Sequence, residues 1–87
     1  MAKHNKYLEQ YSNGFENIAI ELGDLRYDSL AEFLELLSLK LHKDSLADKE
    51  RNRIKLSTEL LEASKRLKEA SENIDSAWTI CKPYMDV

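Results

Sequence analysis

The stretch Leu56–Cys81, LSTELLEASKRLKEASENIDSAWTIC, decides how the chain is read. In it Leu56, Leu60, Ala63, Leu67, Ala70, Ile74, Ala77 and Cys81 recur at alternating steps of four and three. That spacing keeps one stripe of an α-helix turned toward a neighbouring helix. One edge of the stripe is small: Ala63-Ser64, Ala70-Ser71, then Ala77 beside Trp78. Small residues at steps of seven let a second helix come close, and Leu67 and Ile74 fill the space between. Glu62, Lys65, Arg66, Lys68, Glu69 and Glu72 take the outer face. Glu62–Arg66 and Lys68–Glu72 are opposite charges four apart, each worth about 0.3 kcal/mol. The seam is too short for a fibrous rod and reads as one wall of a helical bundle.

The chain on either side supports the same class. Pro83 stops the last helix, because the residue before a proline is pushed out of helical geometry. The segment Tyr84-Met85-Asp86-Val87 is then a short tail. Upstream, Leu30, Phe33, Leu34, Leu37 and Leu41 share one face of a second helix. Ser29 with Glu32 three residues on has the pattern of a capping box, which starts that helix near 29. Leu8, Tyr11, Phe15, Ile18 and Leu22 alternate by three and four and predict a first helix over 5–22, with Gly14 tolerated inside it for close packing. Gly23 is placed for a left-handed helix end. Leu25 and Tyr27 are placed to cover the end of the core.

Residues 43–55 admit two readings. Asp44-Ser45, with Asp48 three residues after Ser45, has the chemistry of a turn and a new helix start. The second helix then covers 29–43 and the third 46–81. Alternatively, the second helix continues and the chain turns near Asn52, a residue that tolerates left-handed geometry. The explicit cap chemistry favours the first. The expected fold is all-α: an antiparallel bundle of three helices forming one domain over 1–87, the third helix broken near 52 in the alternative.

Composition narrows the function classes. Eighty-seven residues make one small core, which calls for tight packing or self-association. A formal net charge of −3 argues against a dedicated nucleic-acid binder. A single cysteine, Cys81, builds no internal disulfide framework or multi-cysteine zinc site, and with no leader in view it points to a reducing cytoplasm. The opening Met1-Ala2-Lys3 reads as the start of a whole small protein. No apolar run reaches the length of a membrane span. His4 and His42 have no partner at metal-ligand spacing on one helix face. The carboxylates alternate with lysines as on a solvated surface. No nucleophile–base pair, phosphate loop or metal motif is present, so no enzyme activity and no cofactor are expected.

Two surfaces are left. Leu36 and Leu39 point away from the leucine face of the second helix, and Leu46 extends their stripe if that helix continues. With Trp78 they are the candidate protein interface, and a homo-oligomer, a dimer first, is the expected assembly. Lys49, Arg51, Arg53 and Lys55 are the candidate anion contacts of a nucleic-acid-associated alternative. Helical spacing aligns Lys49 with Arg53 and Arg51 with Lys55, but interleaved acids and the lack of aromatics there weigh against it. The first expectation is a non-enzymatic interaction or regulatory module.

Overall fold

The computed structural model of the protein describes residues 4–12 and 14–84. The described residues are mostly helical and contain no strand, only an isolated bridge between Leu8 and Tyr11. Three α-helices follow in order: α1 at Glu16–Gly23, α2 at Tyr27–Glu50 and α3 at Ile54–Cys81. A short 3₁₀ turn, Lys82–Tyr84, closes the described chain; α3 ends before Pro83, but Lys82 keeps helical φ −50° and ψ −44° and is not pushed out of helical geometry. The tail beyond it, 85–87, lies outside the described residues.

The turn falls at 51–53, which is the second of the two readings. Asn52 supplies the left-handed residue, with φ 61°. Its N–H donates to the Lys49 carbonyl at 3.0 Å and that of Arg53 to the Asp48 carbonyl at 2.8 Å, which closes the end of α2. The favoured turn at Asp44-Ser45 is corrected. Both residues lie inside α2, where Asp44 is paired with Lys40 at 2.7 Å, four residues back. Ser45 donates its hydroxyl to the His42 carbonyl at 2.8 Å. A residue type that often caps a helix is used here for its small size.

The start of α2 is corrected in the same way. The helix begins at Tyr27, two residues before Ser29, and Arg26 at its N-cap makes no side-chain capping bond. Asp28 accepts the Ser29 N–H at 2.9 Å and places a negative charge in the first turn, where the helix dipole favours it. Glu32 is therefore not half of a capping box. Leu25 and Tyr27 are exposed and cover no core.

The first helix is much shorter than 5–22. Gly14 has φ 133°, outside any helix, and a Cβ there would come within 2.8 Å of Glu16 Oε2. Asn5, Ser12 and Gly14 are poor helix formers, and the apolar stripe does not overcome them. Instead the chain folds locally, with Tyr7 and Phe15 rings 5.3 Å apart. Tyr11 donates to Glu21 Oε2 at 2.7 Å, and this bond to a carboxylate holds the phenol above its ordinary pKa. Gly23 ends α1 without the left-handed conformation expected of it.

Only α2 and α3 pack extensively, as an antiparallel hairpin, while α1 has at most marginal contact with them. Their seam is built on small residues. Ala31, Ser38 and Ser45 of α2 and Ser57, Ser64 and Ser71 of α3 are buried, each set at steps of seven. The Ser57 hydroxyl donates to the Ser45 carbonyl and the Ser71 hydroxyl to the Ala31 carbonyl, both at 2.7 Å. A side chain this short reaches a main-chain carbonyl of the opposite helix only if the two backbones come close. The stripe from Leu56 to Cys81 is thus not the centre of the seam but its flank, one residue before and three after each serine.

Replacing Ser71 separates the two roles of this seam. Ser71→Ala removes one cross-helix hydrogen bond and should cost about 1 kcal/mol. Ser71→Leu also forces the helices apart and should cost about 1–3 kcal/mol more. Urea denaturation followed by far-UV circular dichroism at fixed protein concentration measures both. Equal losses in the two variants would show that close approach is not the constraint.

Candidate functional site

The serine ladder defines two faces of the hairpin. Antiparallel helices are related locally by a two-fold axis perpendicular to their common plane, so equal offsets from the ladder fall on the same side. One residue before and three after each ladder position lie Leu30, Leu34, Leu37 and Leu41 in α2 and, nearest the turn, Asp44 and Asp48. The same offsets in α3 give Leu56, Leu60, Ala63, Leu67, Ala70 and Ile74, and Ala77 and Cys81 flank Trp78 at the next step of seven. Phe33 borders this face on the outer side of α2. One residue after and four after the ladder lie Glu32, Glu35, Leu39, His42, Leu46 and Lys49 in α2, and Thr58, Leu61, Lys65, Lys68, Glu72 and Asp75 in α3. The Lys68–Glu35 ion pair at 3.0 Å, joining the two helices, confirms that these offsets share a side. One face of the hairpin is therefore apolar and the other mostly charged.

The apolar face is not covered. Phe33 is 40% exposed, Leu37 37% and Leu56 46%, while Leu30, Leu34, Leu41, Leu60, Leu67 and Ile74 are half-buried. The one buried apolar side chain among the described residues is Ala31. The Cα extents of 50 × 29 × 14 Å describe a slab one helix thick. Its radius of gyration is 15.7 Å, against about 12 Å for a compact chain of this length. Domains bury apolar surface between layers, and a single layer leaves half of it open.

Near its turn end the apolar face meets charge, and each charge has a partner. Asp44 holds Lys40, and the buried Asp48 holds Arg53 at 3.4 Å. At the opposite, open end, Arg26 ties the start of α2 to the end of α3. Its guanidinium lies 5.2 Å from the centre of the Trp78 ring and pairs with Asp28 at 2.6 Å. The hydrogen bond from Arg26 holds the Asp28 carboxyl below its ordinary pKa of 3.8, helped by the Arg26 charge and the Ser29 N–H and opposed by burial. Arg26 itself is raised, chiefly by the same hydrogen bond.

The charged face has a shallow hollow at this end, lined by Asp28, Glu32, Glu35, Glu72 and Asp75 around Lys68. Among the described residues no group of three or more histidines, cysteines or carboxylates is placed to hold a metal ion. Among them, too, no helix is long and apolar enough to cross a membrane. Cys81 is a free, half-buried thiol whose Sγ lies 3.7 Å from the Trp78 carbonyl.

The structure disperses the residues proposed from sequence. Leu39 and Leu46, 57% and 54% exposed, sit among charges on the polar side, and Leu36, 59% exposed, points outward. Trp78 is half-buried at the other end of the hairpin from Leu46 and does not join them. The basic segment is split by the turn. Lys49 belongs to α2, Arg51 caps it, Arg53 precedes α3 and Lys55 lies in its first turn. The helical alignment of Lys49 with Arg53 and of Arg51 with Lys55 is therefore lost, and Arg53 is occupied by Asp48. Sequence reasoning missed Ser38, Ser45 and Ser57 as seam residues. The signal was their step of seven from Ala31 and Ser64; Ser45 reads as part of a cap, and Ser38 and Ser57 lie off the apolar stripes.

Family models, curated proteins and solved structures were each compared with this chain, and none matches it.

The Arg26–Asp28 pair makes a pH prediction with a definite sign. A carboxylate held low in the folded state adds stability above its ordinary pKa, and that stability is lost as the pH falls through the lowered value. The wild-type protein should therefore lose stability below about pH 4, and Asp28→Asn should flatten that acid limb. Thermal melts from neutral to acidic pH check it; superimposable acid limbs would remove Asp28 as the cause.

Proposed function

We propose that this protein is a non-enzymatic helical interaction module, regulatory or scaffolding in role, that works by burying the apolar face of its hairpin against other helices. The observation that carries the reading is the continuous face formed by Leu30, Phe33, Leu34 and Leu37 of α2 with Leu60, Leu67 and Ile74 of α3, which no part of the described chain covers. Transfer of apolar surface from water is worth about 25 cal/mol per Å², so such a face binds whatever fits it. A second layer of helices converts the hairpin into the antiparallel bundle that the leucine spacing anticipates. Self-association, a dimer first, belongs to this reading. A cytoplasmic setting goes with it, on the strength of the one free thiol.

The working surface is placed on this face and not on Leu36, Leu39 and Leu46. Leu36 and Leu39 are neighbours on α2, but both are more than half exposed and ringed by Glu32, Glu35, Lys40 and Lys43, and Leu46 stands apart from them; exposed leucines are ordinary on protein surfaces. The nucleic-acid alternative has less support, because Arg53, Lys65 and Lys68 are paired with Asp48, Glu62 and Glu35.

Sedimentation of three proteins tests the placement. Wild type and Leu39→Glu should associate alike, with itself or with a helical partner captured from the native host. Leu67→Glu should weaken association at least tenfold while the far-UV spectrum keeps its helical shape. Loss with Leu39→Glu and not with Leu67→Glu would move the interface to the opposite face.

A further inference from the structure

We propose that the apolar face is covered by a second copy of this chain, stacked face to face about a two-fold axis running parallel to the helices. The proposal rests on the interaction-module reading and names its partner and geometry. What selects a second copy is the unequal relief of the two halves of the face. The positions just before the ladder are Leu30, Leu37 and Asp44 in α2, with Phe33 beside the two leucines, and Leu56, Ala63 and Ala70 in α3, so away from the turn the two halves differ in bulk. The α2 half is raised and the α3 half is sunken.

A two-fold parallel to the helices exchanges the halves. It lays α2 of each copy over α3 of the other, so that bulk enters a hollow twice, as a self-complementary interface requires. All neighbouring helices are then antiparallel. A two-fold across the helices would instead stack leucine on leucine along one side and alanine on alanine along the other. It would also set the Phe33 end of α2 against the Asp44 end. The parallel axis keeps the charged turn ends together, where Asp44 and Asp48 already hold Lys40 and Arg53.

Register follows from bonds within one hairpin. Ser71 is level with Ala31 and Lys68 with Glu35, so Ala70 is level with Phe33. The parallel axis preserves level, and Phe33 of one copy therefore lies over Ala70 of the other. The area is adequate. A helix of 24 residues is about 36 Å long, and two side by side are about 20 Å wide, so each copy buries on the order of 700 Å². That is close to the roughly 800 Å² per partner of a standard stable interface. The slab, 14 Å thick, thereby gains the second layer it lacks.

Mixing single-cysteine variants tests the geometry. Phe33→Cys and Ala70→Cys are each made with Cys81→Ser, mixed, and oxidised mildly. The mixture should give a disulfide-linked dimer on non-reducing gels, and each variant alone at most a trace. The mixture of Lys40→Cys with Ala63→Cys, one step of seven from the first pair in each helix, probes the same register nearer the turn and guards against misfolding of the first pair. Sedimentation of the wild-type chain is the companion measurement and should give twice the chain mass at micromolar concentration. A wild-type dimer in which neither mixture cross-links would overturn the parallel axis and leave the module reading intact. A monomer at every concentration would overturn the second copy as occupant, while binding to a captured helical partner that Leu67→Glu abolishes would still uphold the module.

Discussion

Two hydrogen bonds set the spacing on which everything else depends. When Ser57 and Ser71 of α3 donate to the carbonyls of Ser45 and Ala31 of α2, at 2.7 Å each, the helix backbones are fixed at close range. A larger side chain at any rung of that ladder would lie between them. Net, each bond is worth only about 1 kcal/mol, so the ladder owes its influence to geometry more than to strength. Close approach leaves no room for leucines inside the seam. They are displaced to its flank, and because the helices run antiparallel they are displaced to the same flank.

The amphipathic slab is a consequence of that displacement. A helix pair joined by large residues encloses some of its apolar surface between the helices. A pair joined by serines encloses almost none, and Ala31 is the one buried apolar side chain among the described residues. The leucines, Phe33 and Ile74 then form a face instead of a core. Side-chain contacts join the two helices without filling the space between them: Asp48–Arg53 across the turn, Lys68–Glu35 on the charged face and Arg26 against Trp78 at the opening. A function built on contact with other helices follows from this imbalance between a well-made seam and a missing interior.

Much of the fold was legible in advance. The heptad spacing from Leu56 to Cys81 and the stop at Pro83 locate α3, and the leucine run locates α2. The site was legible in part. The small edge at Ala63-Ser64 and Ala70-Ser71 was recognisable as a place of close approach, but the same property in Ser45 was masked by the habit of serine to cap helices, and Ser38 and Ser57 lie off the apolar stripes that mark a seam. Asp44-Ser45 looked like a helix start for the same reason. Local chemistry favours a cap there, and only contact with Ser57 across the seam makes a continuous helix the better solution. The stripe from Leu8 to Leu22 failed differently. Its apolar period has no helix to pack against, so the weak propensity of Asn5 and Ser12 and the φ of Gly14 prevail.

The amino-acid sequence by itself determined that the protein is helical, where its longest helix ends and which residues are apolar at helical spacing. These follow from local propensities and from the fixed rotation of a helix per residue. The tertiary structure alone decided that the chain turns at Asn52, that serines and not leucines meet at the seam, and that the leucines flanking the seam in both helices fall mostly on one side. Those outcomes depend on the distance and direction of a second helix, which no window of sequence contains. The stretch from Leu56 to Cys81 carries both parts: its period makes the helix, and the opposite helix selects which edge of that period is buried and which is left open for a partner.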